Sequence, residues 1–358
     1  MNNVKGVSQY EVIRQLRFPM IVLVTFAHSY GKVEEGFSLL ASDWNTYEFL
    51  KLLLSQTLVK MAVPVFFIMS GYLFFANVDK WDVATYKKKI FRRIKTLLLP
   101  YLIWNLLMTV KLKTFSMNMF WVFWNPAGKQ IDWFGHEQLM TAPANMPLWF
   151  LRDLMVVSLL TPIIYILVRR LGYWLMAVLT VLYLSGVCAF IPGLSAYAVF
   201  FFTLGAFFSI RRMNLIESSR RLEWPAYILS VILAIAMILT YSTQVFSSLM
   251  LCFRITGAFA MFCLAARCLK TTKIRIPQMV CDSAYFIYLA HYVFFFSFID
   301  TMFFVLFGTS ITASSLHYLL LPLVKVIVLT TIYIIYNKLI ILIRKQNIIL
   351  IKSSNDKN

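Results

Sequence analysis

Apolar residues in this chain gather in runs of about twenty rather than on one stripe of an otherwise polar helix. A run of that length matches the hydrocarbon thickness of a bilayer. Ten such runs are present, at roughly 12–30, 55–76, 96–112, 148–168, 172–191, 196–210, 225–242, 247–266, 283–306 and 318–343. Pro64 and Pro322 fall inside two of them, so neighbouring helices must support the resulting kinks. The longest interval between runs, near 111–147, leaves little room for a second, soluble domain. The pattern predicts an all-α, polytopic membrane protein of about ten transmembrane helices. One transmembrane domain would cover 1–345, followed by a short cytoplasmic tail, 346–358. No small-x-small cleavage site follows the first run, which is therefore counted as a span.

Basic residues orient the spans. With the N-terminus inside, twenty-four of the 34 Lys and Arg fall in inner segments. Only Lys32, Lys111, Lys113 and Lys129 fall in outer ones. Both termini are therefore expected on the cytoplasmic side. The same asymmetry accounts for most of the net charge of +19, because inner loops meet an anionic leaflet of membrane lipid. That placement argues against nucleic acid as a partner. Composition agrees: 60% of residues are hydrophobic, 14% are charged, and mean hydropathy is +0.75. The five cysteines show neither a disulfide framework nor metal-ligand spacing, so no metal is expected.

Charged and titratable residues within spans are costly and mark function by default. Arg17 and His28 stand eleven residues apart in the first span, close to three helical turns. They share one face, roughly 16 Å apart along the axis. Arg17 also suits a snorkelling anchor, and His28 a hydrogen-bonded bundle histidine. Ser70-Gly71 is a small pair among aromatics, suited to close helix packing. A basic run, Lys87-Lys88-Lys89-Ile90-Phe91-Arg92-Arg93, sets topology or docks a polyanion, for which the planar guanidinium is apt. Trp149 fits an interfacial belt or a sugar-stacking platform. Arg152 and Asp153, as helix neighbours, are expected to point apart and to find partners on other segments. His291 lies in the ninth span. Arg254 and Lys325 are further in-span cations, with Asp300 a counter-charge on depth alone. His136 and His317 read as surface residues.

Five motifs occur in order: Arg17-(ten residues)-His28, Phe66-Phe67-Ile68-Met69-Ser70-Gly71-Tyr72, Arg92-Arg93-(six)-Pro100-Tyr101, Leu148-Trp149-Phe150-Leu151 and Ile287-Tyr288-Leu289-Ala290-His291. Together they resemble the acyltransferase-3 family of bacterial membrane O-acyltransferases, in the form without a fused extracytoplasmic hydrolase-like domain. Two departures stand out. Phe18 follows Arg17 where the family often has Gly, and the nearest upstream acid, Glu11, is six residues before Arg17.

The resemblance implies transfer of an acyl group, usually acetyl, from cytoplasmic acyl-CoA to a hydroxyl of a cell-envelope glycan or lipid-linked sugar. It implies residence in the bacterial inner membrane. On that basis His28 is the expected base, with Arg17 beside CoA phosphate and Arg92 and Arg93 assisting. His291 or Arg152 would position the acceptor or stabilise the oxyanion, and Trp149, Arg152 and Ser70 would line the acceptor site. A neutral imidazole suits proton removal, and an acyl-histidine relay is equally open. The competing function class is a membrane carrier of a glycan or small solute without chemistry. A third is a structural or sensory subunit of a glycan-export complex. The acyl group, the acceptor hydroxyl and the oligomeric state are not legible.

Overall fold

A computed structural model of the chain describes residues 8–29, 33–34, 37, 39, 45–78, 80–111, 125–131, 137–186, 193–272, 274–293 and 297–355. Helices dominate them. In order they are α1 (Gln9–Ala27), α2 (Thr46–Lys51), α3 (Ala62–Phe75), α4 (Val83–Arg93), α5 (Leu99–Lys111), α6 (Trp149–Leu159), α7 (Thr161–Leu171), α8 (Tyr173–Leu184), α9 (Ala196–Ile210), α10 (Leu215–Arg220), α11 (Glu223–Leu239), α12 (Gln244–Thr271), α13 (Gln278–Ala290), α14 (Ser297–Phe307) and α15 (Ile311–Asn355). The helical content agrees with the all-α expectation, and one antiparallel hairpin accompanies it, pairing β1 (Asn125–Ile131) with β2 (Glu137–Ala142). It lies in the long interval between spans, where Pro126 and Gly128 interrupt any alternating pattern. Past residue 345, α15 continues unbroken to Asn355.

Each apolar run contains helix, and two runs are broken. The 148–168 run is α6 and α7, bent by 63° at Leu160, with Pro162 opening the second helix. The 283–306 run splits into α13 and α14, and His291 stands at the break. Three helical stretches are long and apolar enough to cross a bilayer: Thr46–Phe75, Gln244–Thr271 and Ile311–Arg344. The bent α6–α7 pair makes a fourth if counted as one span. Outward faces of α8, α11 and α15 expose Trp174, Val181, Ile228, Val231, Ile232 and Ile335. A patch of that kind is a liability in water and the ordinary face of a helix in lipid.

α3 is apolar on all sides because it is surrounded. It packs on α1, α9 and α12. Its tightest neighbour is α9, and glycine makes the contact possible. A methyl group at Gly71 would strike the Phe202 carbonyl oxygen, and one at Gly205 would strike the Ile68 carbonyl oxygen. The two backbones touch where side chains would otherwise hold them apart. Ser70-Gly71 thus has a packing role through its glycine. Gly205→Ala is expected to cost ~3 kcal/mol or more by overpacking. Thermal unfolding in detergent checks this, and an unchanged midpoint would mean the backbone contact does not hold the bundle.

Candidate active site

α1 and α13 lie side by side in the same direction, fixed at both ends. At the N-terminal ends, Arg275 Nε donates to Glu11 Oε1 at 2.5 Å. One turn higher, the Gln15 amide makes a two-way clamp on the backbone. Gln15 Nε2 donates to the Ile276 carbonyl at 3.0 Å, and Ile276 N–H donates to Gln15 Oε1 at 2.8 Å. From this shared base, α1 ends at Ala27 and α13 at Ala290. The next residues are His28 and His291. Their ring centroids are 5.4 Å apart, although 262 residues separate them in the chain.

Helix ends leave carbonyls without intrahelical donors, and inside a bundle these need partners. His291 Nδ1 lies 2.9 Å from the Tyr288 carbonyl and 3.1 Å from that of Ile287. Carbonyls only accept, so Nδ1 carries the hydrogen and Nε2 keeps its lone pair. That Nε2 is buried and has no hydrogen-bond partner among the described residues. At the end of α1, Ser29 Oγ donates to the Thr25 carbonyl at 2.6 Å, and Ser55 Oγ to the Phe26 carbonyl at 2.8 Å. His28 stands between these anchored groups, with Tyr292 at 5.9 Å on another side.

Cations gather around the pair. Lys60 and Lys325 are within electrostatic reach of His28, and Arg254 of Lys60. Lys325 Nζ lies 3.4 Å from Ser29 Oγ. Lys60 comes from an irregular stretch, a π-helical turn (Leu52–Thr57) followed by a 3-10 turn (Leu58–Met61), just before Pro64. Such breaks within a bundle re-aim side chains and recur at functional sites. Arg254 lies over the Tyr197 ring at 4.9 Å, and Tyr197 meets Trp149 edge-on at 6.2 Å. Trp149 is therefore half-buried against the interior aromatic group.

A family model described as an acyltransferase domain matches residues 11–337, nearly the whole of this arrangement. The chain belongs to the acyltransferase-3 family. It is similar to the succinoglycan biosynthesis protein ExoH of Rhizobium meliloti (strain 1021), at 28% identity over 168 residues. That match spans 44% of this chain and 43% of ExoH. No solved structure matches the chain significantly.

Seen as an acyltransferase-3 chain, the remaining candidates fall into separate groups. Arg93 Nη2 donates to Ser70 Oγ at 3.2 Å and lies over the Phe74 ring at 5.4 Å, near the C-terminal end of α3. Ser70 and Arg93 thus meet each other, and among the described residues no hydrogen bond or ion pair joins either to the histidines. Lys89 joins this group by donating to the Phe74 carbonyl. Burial, then the Arg93 and Arg92 guanidinium groups, pull its ammonium below the ordinary lysine range. Arg92 itself is exposed. Pro100 lacks the N–H that would serve the Thr96 carbonyl, and the Tyr285 hydroxyl donates there instead, at 2.5 Å. The Arg92-Arg93…Pro100-Tyr101 run is thereby tied to α13. Arg17 is half-buried on α1, with no hydrogen bond or ion pair to its guanidinium among the described residues.

Two expectations are corrected. Asp153 does find a partner on another segment, as expected, but it and Arg152 do not point apart. Arg152 Nε and Nη2 fold back onto Asp153 Oδ1 at 3.1 and 3.0 Å, and Asp153 Oδ2 accepts from Ser195 at 2.9 Å. A long, flexible arginine reaches its neighbour when burial removes water as the competing partner. His317 is not a surface residue. It is 2% exposed, with its ring 4.8 Å from that of Phe303 and 4.5 Å from that of Phe304. His136 and the Asp300 side chain lie outside the described residues. Lys60, Tyr197 and Gln15 were not singled out from sequence. Only a polar residue within an apolar run marks Lys60 and Gln15, and nothing marks Tyr197.

Gln15→Leu is expected to leave the Ile276 N–H and C=O unpaired, at about 1–3 kcal/mol each. Thermal unfolding should show that loss, with a larger effect than Glu11→Ala, whose ion pair is partly exposed. Equal effects from the two would argue against the clamp.

Proposed function

We propose that this acyltransferase moves an acyl group from cytoplasmic acyl-CoA to a hydroxyl of a cell-envelope glycan or lipid-linked sugar. Its ten-span body would sit in the bacterial inner membrane with both termini inside. The observation that carries the proposal is the histidine pair: two imidazoles at adjoining helix ends, one with an unpaired, buried nitrogen. The glycan acceptor is supported by the similarity to a succinoglycan biosynthesis protein. The transferred group is acetyl or another short acyl chain.

In this mechanism the acceptor oxygen attacks the thioester carbonyl carbon while its proton passes to His291 Nε2. The C–S bond then breaks, and the proton goes on to the departing CoA thiolate. On sequence grounds His28 was the base. His291 is the better prepared of the two, since the carbonyls of Ile287 and Tyr288 hold its ring in the Nδ1–H tautomer. His28 then orients the reacting oxygen beside it. Lys60 and Lys325 supply positive charge where the tetrahedral intermediate's oxyanion develops. Arg17, lower on the same helix as His28, meets CoA phosphate. Trp149 and Tyr197 offer faces to a sugar ring.

His291→Asn keeps a side-chain N–H for the helix-end carbonyls and removes the basic nitrogen. It is expected to fold normally and to lower kcat by about 10²–10⁴-fold, the usual worth of a positioned base. His28→Ala and Arg17→Ala should each abolish glycan acylation at unchanged membrane level, with Arg17→Ala weakening CoA binding more. Mass spectrometry of envelope glycans from cells carrying each variant provides the readout. Full acylation with His291→Asn would sink the base assignment.

A further inference from the structure

A cavity of about 530 Å³ opens where the N-terminal end of α1 meets the C-terminal ends of α3, α7 and α9. Its volume is in the range of small-ligand sites. Three independent features mark it as built for a ligand. First, its wall is aromatic: Trp81 and Tyr165 stack at 5.5 Å, with Tyr10 opposite on α1. Second, Gln9 is among its lining residues, and the buried Gln9 Oε1 has no donor among the described residues. Third, two non-glycine residues with left-handed backbone line it, Asn77 at φ 57° and Arg212 at φ 55°. Such conformations cost about 1–3 kcal/mol and cluster at ligand sites.

The charge at the rim suits an anion. Arg169 and Arg212 both line the cavity and are exposed, against a single acid, Glu217. Arg169 lies over the Tyr165 ring at 6.0 Å, which leaves its guanidinium edge free for a phosphate. The combination is an aromatic surface beside two guanidinium groups. It matches a purine carrying phosphates.

Position connects the cavity to the histidine pair. Tyr10, Arg17 and His28 are spaced by seven and eleven residues, so all three lie on one face of α1. Arg17 is roughly 10 Å above Tyr10, and His28 roughly 16 Å above Arg17. A flexible arm running up that face joins a nucleotide at its foot to chemistry at its head.

We infer that this cavity binds the adenosine 3′-phosphate end of the acyl-CoA donor, its 5′-diphosphate reaching toward Arg17 and its pantetheine arm running on toward His28 and His291. The inference rests on the acyl-CoA reading of the function. It moves the nucleotide from Arg92 and Arg93 to Arg169 and Arg212.

The test uses the purified full chain in detergent and adenosine 3′,5′-bisphosphate as probe, with binding followed by calorimetry. Arg212→Gly removes the guanidinium at a position whose backbone favours glycine, so folding is preserved. Arg169→Gln removes the other. Each should weaken bisphosphate binding at least tenfold and raise KM for acyl-CoA by a similar factor. Arg170→Gln, exposed on the same helix but outside the cavity, should bind as wild type. Wild-type affinity in both cavity variants would overturn the assignment, as would a wild-type chain that does not bind the bisphosphate. Equal losses in all three would also overturn it, by reducing the effect to general charge. Bisphosphate bound at the cavity without acyl-CoA turnover would remove the transfer reading and leave the nucleotide site. Acyl-CoA turnover with KM unmoved by both cavity substitutions would do the reverse.

Discussion

Two helices that stop inside an apolar body create a polar demand that must be met there. α1 and α13 both end at the level of the histidine pair; the Ile287 carbonyl still accepts from the His291 N–H and that of Phe26 from the Ser29 N–H, whereas those of Thr25 and Tyr288 have no backbone donor among the described residues. In water such groups are solvated. Within a bundle each unpaired one costs kilocalories. Ser29, Ser55 and the His291 ring meet the demand. The same hydrogen bonds that close the helix end fix an imidazole tautomer, and the fixed tautomer leaves a nitrogen available for chemistry. Packing and candidate reactivity therefore share one cause.

The pair also depends on register. Glu11 with Arg275, and Gln15 with the Ile276 backbone, set α1 against α13 at their N-terminal ends. From there, seventeen residues on α1 and sixteen on α13 reach the paired groups His28 and His291. At 1.5 Å per residue of helix, a mismatch of two or three residues would part the rings by about 3–5 Å. The Gly71–Gly205 contact holds α3 against α9, and the irregular turn that carries Lys60 leads into the N-terminal end of α3. A continuous regular helix through 46–75 would aim Lys60 elsewhere. The break is thus part of the cation arrangement around His28.

Sequence patterning made the apolar helices and the Arg17–His28 stripe legible, because bilayer thickness and helical period constrain them directly. The family assignment followed from five ordered motifs and agrees with the match over residues 11–337. What stayed hidden depends on contacts across long separations. Nothing local announces that His28 meets His291, or that Lys60 approaches Arg254. The breaks at Leu160 and His291 were invisible because hydropathy continues through them. Arg152 misled because helical spacing describes where side chains start rather than where a long one ends. Ser70 and Arg93 were assigned to separate substrates, whereas their hydrogen bond makes them one group.

The central claim is that the histidine pair carries acyl transfer from CoA. The most direct measurement incubates the purified, folded chain with acetyl-CoA labelled in its acyl group, with and without envelope glycan as acceptor. Label should leave CoA and appear on the glycan, and His291→Asn should slow the loss by at least a hundredfold. A folded wild-type chain that leaves acetyl-CoA and other short-chain acyl-CoA donors intact in the presence of glycan would contradict the claim, as would a His291→Asn chain that works at the wild-type rate.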